Sequence, residues 1–178
     1  MRLIPEDSAT GPAVSHHASH ALGKAIRARA LSLGFELAGF CDAAPPGEIA
    51  HFERWLAAGM HGGMSWMQRG RGRRLDPSLV LPDVRSIVVV AMSYARPGND
   101  VTPDDASHGV VSRYARGDDY HGVMGDRMLQ LEEFIEQAAP GHRAMAYVDT
   151  GPVLERMWAA RAGVDGAGRR ARLGGPHP

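Results

Sequence analysis

The sequence predicts an α/β fold, a small mixed sheet covered by helices in a single domain. Three observations lead there. Apolar runs of strand length recur at residues 35–41, 86–94 and 142–149. Stretches with apolar residues at helical spacing lie between and after them. A chain of 178 residues with 44% hydrophobic content can bury one full core, and its length argues for one domain.

In order, residues 1–14 contain Pro5, Glu6, Asp7 and Pro12 without an apolar centre, so a disordered leader is expected and a signal peptide is excluded. His16, His17 and His20 follow, but no carboxylate or cysteine joins them, and a solvated helix start accounts for them without a metal role. Leu22, Ile26, Leu31 and Leu33 form an apolar helix stripe, and Gly34 stands where a left-handed cap belongs. The first strand, 35–41, leaves at Asp42 into a Pro-Pro-Gly loop, after which Ile49, Phe52, Trp55 and Leu56 define a second helix. Residues 60–67 mix glycine with Met and Trp, a composition suited to a mobile loop that moulds to a bulky apolar surface, though ordinary packing accounts for most such residues.

Arg69, Arg71, Arg73 and Arg74 are the densest local positive charge. Such a run is usually a solvated face, yet it could hold a phosphate or an RNA backbone. Residues 75–82 read as a proline-bounded turn or short helix leading into the β-branched run 86–94, a strand expected to be covered on both faces. Residues 95–108 make a long Pro/Gly/Asn/Asp loop. Residues 110–121 gather Arg113, Tyr114, Arg116, Asp118, Asp119, Tyr120 and His121, a polar density that packing does not require and therefore a candidate site edge. Met128, Leu131, Phe134 and Ile135 continue as a helix with Glu132, Glu133 and Glu136 outside.

The last predicted strand, 142–149, is stopped by Gly151-Pro152, with Pro152 expected in the first turn of a helix and Asp149 and Thr150 placed to cap it. An Asp in that setting is by default only a cap. Asp149 nevertheless falls at the carboxyl end of a strand, the edge where ligands of open α/β sheets collect.

Twenty basic residues balance twenty acidic ones, so no global field draws the chain to nucleic acid, and any RNA contact must be local. Cys41 is the sole cysteine, which excludes an internal disulfide and a cysteine-built zinc or iron-sulfur site from this chain alone. No apolar run approaches membrane-spanning length, and a reducing cytoplasm is the expected compartment. Dinucleotide, phosphate-loop, nucleophile-elbow and His-Glu-x-x-His signatures are all missing.

Six blocks in order resemble the N-terminal domain of the epoxyqueuosine reductase family. They are Leu33-Gly34-Phe35 with Gly39-Phe40; His51 to Leu56 with Gly59 to Gly62; Arg74-Leu75-Asp76-Pro77; Ser86 to Tyr94; Arg113 to Gly117 with Asp119-Tyr120-His121; and Val148 to Arg156. The resemblance spans about residues 22–163 and implies an α/β domain acting in the two-electron reduction of the epoxide of epoxyqueuosine to queuosine in tRNA. It implies cobalamin as the reaction's cofactor, iron-sulfur clusters that feed it, and a ferredoxin or flavodoxin as electron donor. It also implies Asp149 as the proton donor, since epoxide opening develops an alkoxide. Arg113, Tyr114, Asp119, Tyr120, His121 and Thr150 are placed by the same resemblance around cofactor and modified base. Arg71, Arg73 and Arg74 are the candidates for tRNA contact.

From Val164 the chain departs from the family pattern and reads Asp165-Gly166-Ala167-Gly168-Arg169-Arg170 onward without an apolar period. The expected division is therefore a leader over 1–14, an α/β domain over 15–163, and a disordered, out-of-frame tail over 164–178, without the cluster-binding and helical repeat domains of the family. A truncated reductase, inactive by itself, is the first reading; a non-catalytic corrinoid-binding or tRNA-binding module is the alternative.

Overall fold

The computed structural model describes residues 16–45, 49–94 and 107–164. The expected leader, most of the 95–108 loop and the tail after Val164 lie outside the described residues. In chain order come α1 (His16–Ser32), β1 (Leu37–Asp42), α2 (Ile49–Ala57), the short α3 (Ser65–Arg69) and α4 (Arg71–Leu75), β2 (Ser86–Ala91), the long α5 (Tyr120–Ala138) and α6 (Glu155–Arg161). Single 3₁₀ turns occupy Pro77–Leu79 and Arg113–Ala115.

The end of α1 shows how locally the sequence acts. Gly34 adopts φ +90°, and with it the Gly34 amide reaches Leu31 O and the Phe35 amide reaches Ala30 O. This double bond is the Schellman cap expected of a left-handed glycine, and it turns Phe35 back under α1. There Phe35, Ala30, Ile26 and Leu131 of α5 form the buried core.

β1 and β2 pair antiparallel, with Leu37 opposite Ala91 and Asp42 opposite Ser86. Alternation then divides the sheet's faces. Ala38, Phe40, Val88 and Val90 pack on the α1–α5 core. On the other face lies Gly39, where a Cβ would come within 2.4 Å of Ala162 O and 2.5 Å of Val164 Cγ2. Glycine here lets the end of α6 cross directly over the sheet. Gly163, at φ +72°, caps α6 in the same manner as Gly34 caps α1, with Val164 N bonded to Ala159 O. The sheet is thus covered on both faces, as expected for 86–94, and Val164 belongs to the folded domain rather than to the tail.

Two expectations fail. Residues 142–149 are not a strand: the sheet among the described residues has two strands, both antiparallel, rather than a mixed set. The apolar run finds no partner edge and lies instead along α5, where Ala144, Met145, Ala146, Tyr147 and Val148 share an open groove with Met128, Leu129 and Glu132. Pro152 also lies outside the last helix, which begins at Glu155 behind Leu154. The 60–67 segment is a series of turns running into α3, with Gly59 and Gly62 at positive φ. No helix among the described residues is long and apolar enough to cross a membrane.

Candidate active site

The start of α5 and the turn at Asp149 face each other. Asp119 is the N-cap of α5: its Oδ1 accepts from the His121 amide at 3.0 Å and contacts His121 Nδ1 at 2.8 Å. A carboxylate can only accept, so Nδ1 carries the proton and Nε2 is left on the side of Asp149. The His121 side-chain bond, reinforced by its backbone amide, holds the Asp119 carboxyl below the usual carboxylate range. Nε2 of His121 lies 3.9 Å from Asp149 Oδ2.

Between them, Tyr120 donates its hydroxyl to Asp149 Oδ2. This bond, which ionisation of the phenol would destroy, pushes Tyr120 up to about 12. The Tyr120 ring stacks on His121 at 4.2 Å, Tyr114 meets Tyr120 edge-on at 6.0 Å, and Tyr94 meets Tyr114 at 6.3 Å. An aromatic ladder thereby leads from the end of β2 to the carboxylate.

Asp149 does not cap α6. It has φ +57°, in a three-residue turn closed by Thr150 N on Val148 O at 2.6 Å. Left-handed backbone is uncommon for a residue with a side chain, although Asp tolerates it better than most. The turn brings the carboxylate, about half-exposed, to Tyr120 and His121 of α5, with the Glu155 carboxyl at the start of α6 also beside it. Glu155, the first residue of α6, reaches back and accepts the Asp149 amide at 2.9 Å. Gly151 is buried against Tyr147, whose ring carbons would lie 2.3 and 2.4 Å from an added Cβ.

The other expected site residues fall as follows. Arg113 is half-buried on its 3₁₀ turn, Tyr114 is exposed, and Thr150 lines the groove of about 550 Å³ beside His121. The arginine run divides. Arg71 is exposed and paired with Glu53, and Arg73 is exposed on α4. Arg74 instead turns inward, its Nη1 donating to Gly151 O and Val153 O, each at 3.2 Å. Of the three early histidines, only the side chain of His20 is described, and it is exposed. Sequence reasoning missed the parts played by Glu155, Tyr147 and Arg74. Glu155 and Arg74 stood within the blocks of family resemblance, but nothing in their spacing tells that both converge on the Asp149 turn.

Fold and site define a small helix-covered α/β domain presenting a phenol, an imidazole and a carboxylate at the mouth of an open groove. Residues 74–150, which include all three, match the family model described as "Epoxyqueuosine reductase QueG, DUF1730". The epoxyqueuosine reductase of Gloeobacter violaceus is 46% identical over 150 residues, covering 83% of this chain and 46% of that protein. A crystal structure of selenomethionine-labelled epoxyqueuosine reductase superposes with TM-score 0.68 and 28% identity, over 81% of this chain and 39% of the other. An epoxyqueuosine reductase in complex with a tRNA-Tyr epoxyqueuosine-modified stem loop gives TM-score 0.66 and 28% identity, over 80% and 38%. Over the stretch it spans, this chain belongs to the epoxyqueuosine reductase family. It spans about half the length of the curated relatives it matches.

Proposed function

We propose that this chain forms the acid-bearing part of an enzyme that reduces the epoxide of epoxyqueuosine to queuosine in tRNA, with Asp149 delivering the proton. The observation that carries the reading is the convergence of Tyr120 and His121 on the Asp149 carboxylate. Converting the epoxide to the double bond of queuosine takes two electrons and two protons, breaks both C–O bonds and releases the oxygen as water; breaking the first leaves an alkoxide, and a carboxylic acid held beside it removes that charge by giving up its proton. Tyr120 keeps one Asp149 oxygen oriented. His121, fixed by Asp119, stands where a single water would connect it to the carboxylate and return a proton from solvent.

The surroundings fit one face of a corrin. Tyr94, Tyr114, Leu129 and Met145 are large apolar side chains left exposed near the site, as a flat macrocycle would require. Arg113, His121 and Thr150 are the polar groups we assign to the rim of cobalamin and to the modified base. Cobalamin, when bound, supplies the reducing chemistry. Iron-sulfur clusters do not fit this chain: Cys41 is its one cysteine, half-buried on β1, and burial pushes its thiol up. Electrons therefore come from outside these residues, ultimately from a ferredoxin- or flavodoxin-type donor.

A relative bound to a tRNA stem loop supports tRNA as partner. Arg73 and Arg71 are the arginines we assign to its phosphates, whereas Arg74 is committed to loop carbonyls. A tRNA substrate places the protein in the cytoplasm. The test is a chimera in which residues 22–163 replace the matched region of the Gloeobacter violaceus relative, supplied with cobalamin, reductant and epoxyqueuosine tRNA. Queuosine should form; a folded chimera that forms none overturns the reading.

A further inference from the structure

The Asp149 turn needs something to hold it. Its central residue is left-handed, its carboxylate is half-exposed, and no strand pairing ties residues 142–149 to the sheet. A backbone conformation of this kind persists where its surroundings over-determine it. Two side chains from different elements supply that constraint. Arg74 of α4 donates one guanidinium nitrogen to the carbonyls of Gly151 and Val153, across 77 and 79 residues of sequence. Glu155 of α6 accepts the Asp149 amide itself. Arg74 Nε is buried without a partner among the described residues, so the side chain is sunk into the fold rather than displayed to solvent. Burial pushes the Glu155 carboxyl up; the Asp149 amide that it accepts works against that shift, the Asp149 carboxyl beside it adds to it, and the Arg74 charge opposes it least.

We propose that Arg74 is a positioning residue for Asp149: Arg74 on the Gly151 and Val153 carbonyls and Glu155 on the Asp149 amide form a two-sided latch that keeps the carboxylate aimed at Tyr120 and His121. The proposal rests on the reading of Asp149 as the acid, but its test does not use turnover.

The experiment compares the full chain with its Arg74→Met variant by two measurements. Phenolate absorbance during a pH titration, with Tyr120→Phe identifying the Tyr120 transition, reports whether Tyr120 still bonds Asp149. Amide hydrogen exchange reports the turn itself. In Arg74→Met the Tyr120 midpoint should fall by one pH unit or more toward that of an ordinary tyrosine. Exchange at Asp149 and Thr150 should rise at least tenfold, while the Leu131 amide in α5 stays protected. A folded Arg74→Met protein with the original Tyr120 midpoint and unchanged exchange overturns the latch. Should Arg74→Met not fold, Glu155→Ala decides: at least tenfold faster exchange at Asp149 supports the latch, and unchanged exchange overturns it. An error in the acid assignment would show separately, as full turnover by Asp149→Asn with the latch measurements unaltered.

Discussion

The Tyr120 hydroxyl donates to Asp149 Oδ2 across 29 residues of sequence, joining the first turn of α5 to the turn before α6. Because the bond requires a protonated phenol, it makes a pH-dependent prediction. Tyr120 is pushed up to about 12 when folded, against about 10 in an unfolded chain. Its stabilisation is therefore fully present below pH ~10 and lost as pH rises through the folded value. Denaturant titrations of wild type and Tyr120→Phe should differ by a constant amount at neutral pH, and the gap should close between about pH 10 and 12. A gap that does not change across that window contradicts the bond.

Asp119 works in the opposite direction. Its carboxyl is held below the usual range, first by the His121 side chain and then by the His121 amide. Its contribution is present above the unfolded value of about 3.9 and lost as pH falls through the folded one. Asp119→Ala should lower Tm at pH 7, and the difference from wild type should shrink below about pH 4. It should also release His121, which exchange broadening of the imidazole signals would reveal.

Much of this was legible in the sequence. The Gly34 cap and the two strands follow from local pattern, because a left-handed glycine after a helical stripe and a β-branched run each act over a few residues. The polar density around Asp119, Tyr120 and His121 is legible for a similar reason, and the fold brings Tyr120 and His121 beside Asp149. The third strand was misread because an apolar run of strand length does not show whether a partner edge exists; residues 144–148 settle along α5 instead. Asp149 looked like a cap because Gly151-Pro152 mimics a helix start. The group that bonds the carbonyls of Gly151 and Val153, Arg74, is too far away in sequence for any local pattern to reveal it.

Gly151 carries a steric prediction. An added Cβ would lie 2.3 Å from a ring carbon of Tyr147, so Gly151→Ala must displace that ring. The cost should be about 1–3 kcal/mol of stability, the range for overpacking a tight contact, measured by denaturant unfolding. A change within a few tenths of a kcal/mol would mean that Tyr147 does not pack on the turn.

The groove beside Thr150 and the exposed aromatic ladder should give the chain a measurable, weak affinity for cobalamin, since one open wall buries little of a large ligand. Titrating cobalamin with protein should produce a saturable absorbance change at millimolar concentration. A strictly linear response would remove the groove as a corrin surface.

The central claim is that Asp149 is the proton donor, and a single substitution in the active chimera tests it most directly. Asp149→Asn keeps the shape of the side chain and an oxygen for Tyr120 to bond, but it cannot release an acidic proton. Queuosine formation should fall by about two to four orders of magnitude, the usual worth of a positioned general acid, with the unfolding midpoint little changed. Near-normal conversion of epoxyqueuosine tRNA by the Asn variant would show that Asp149 is a structural turn residue and that the acid lies elsewhere.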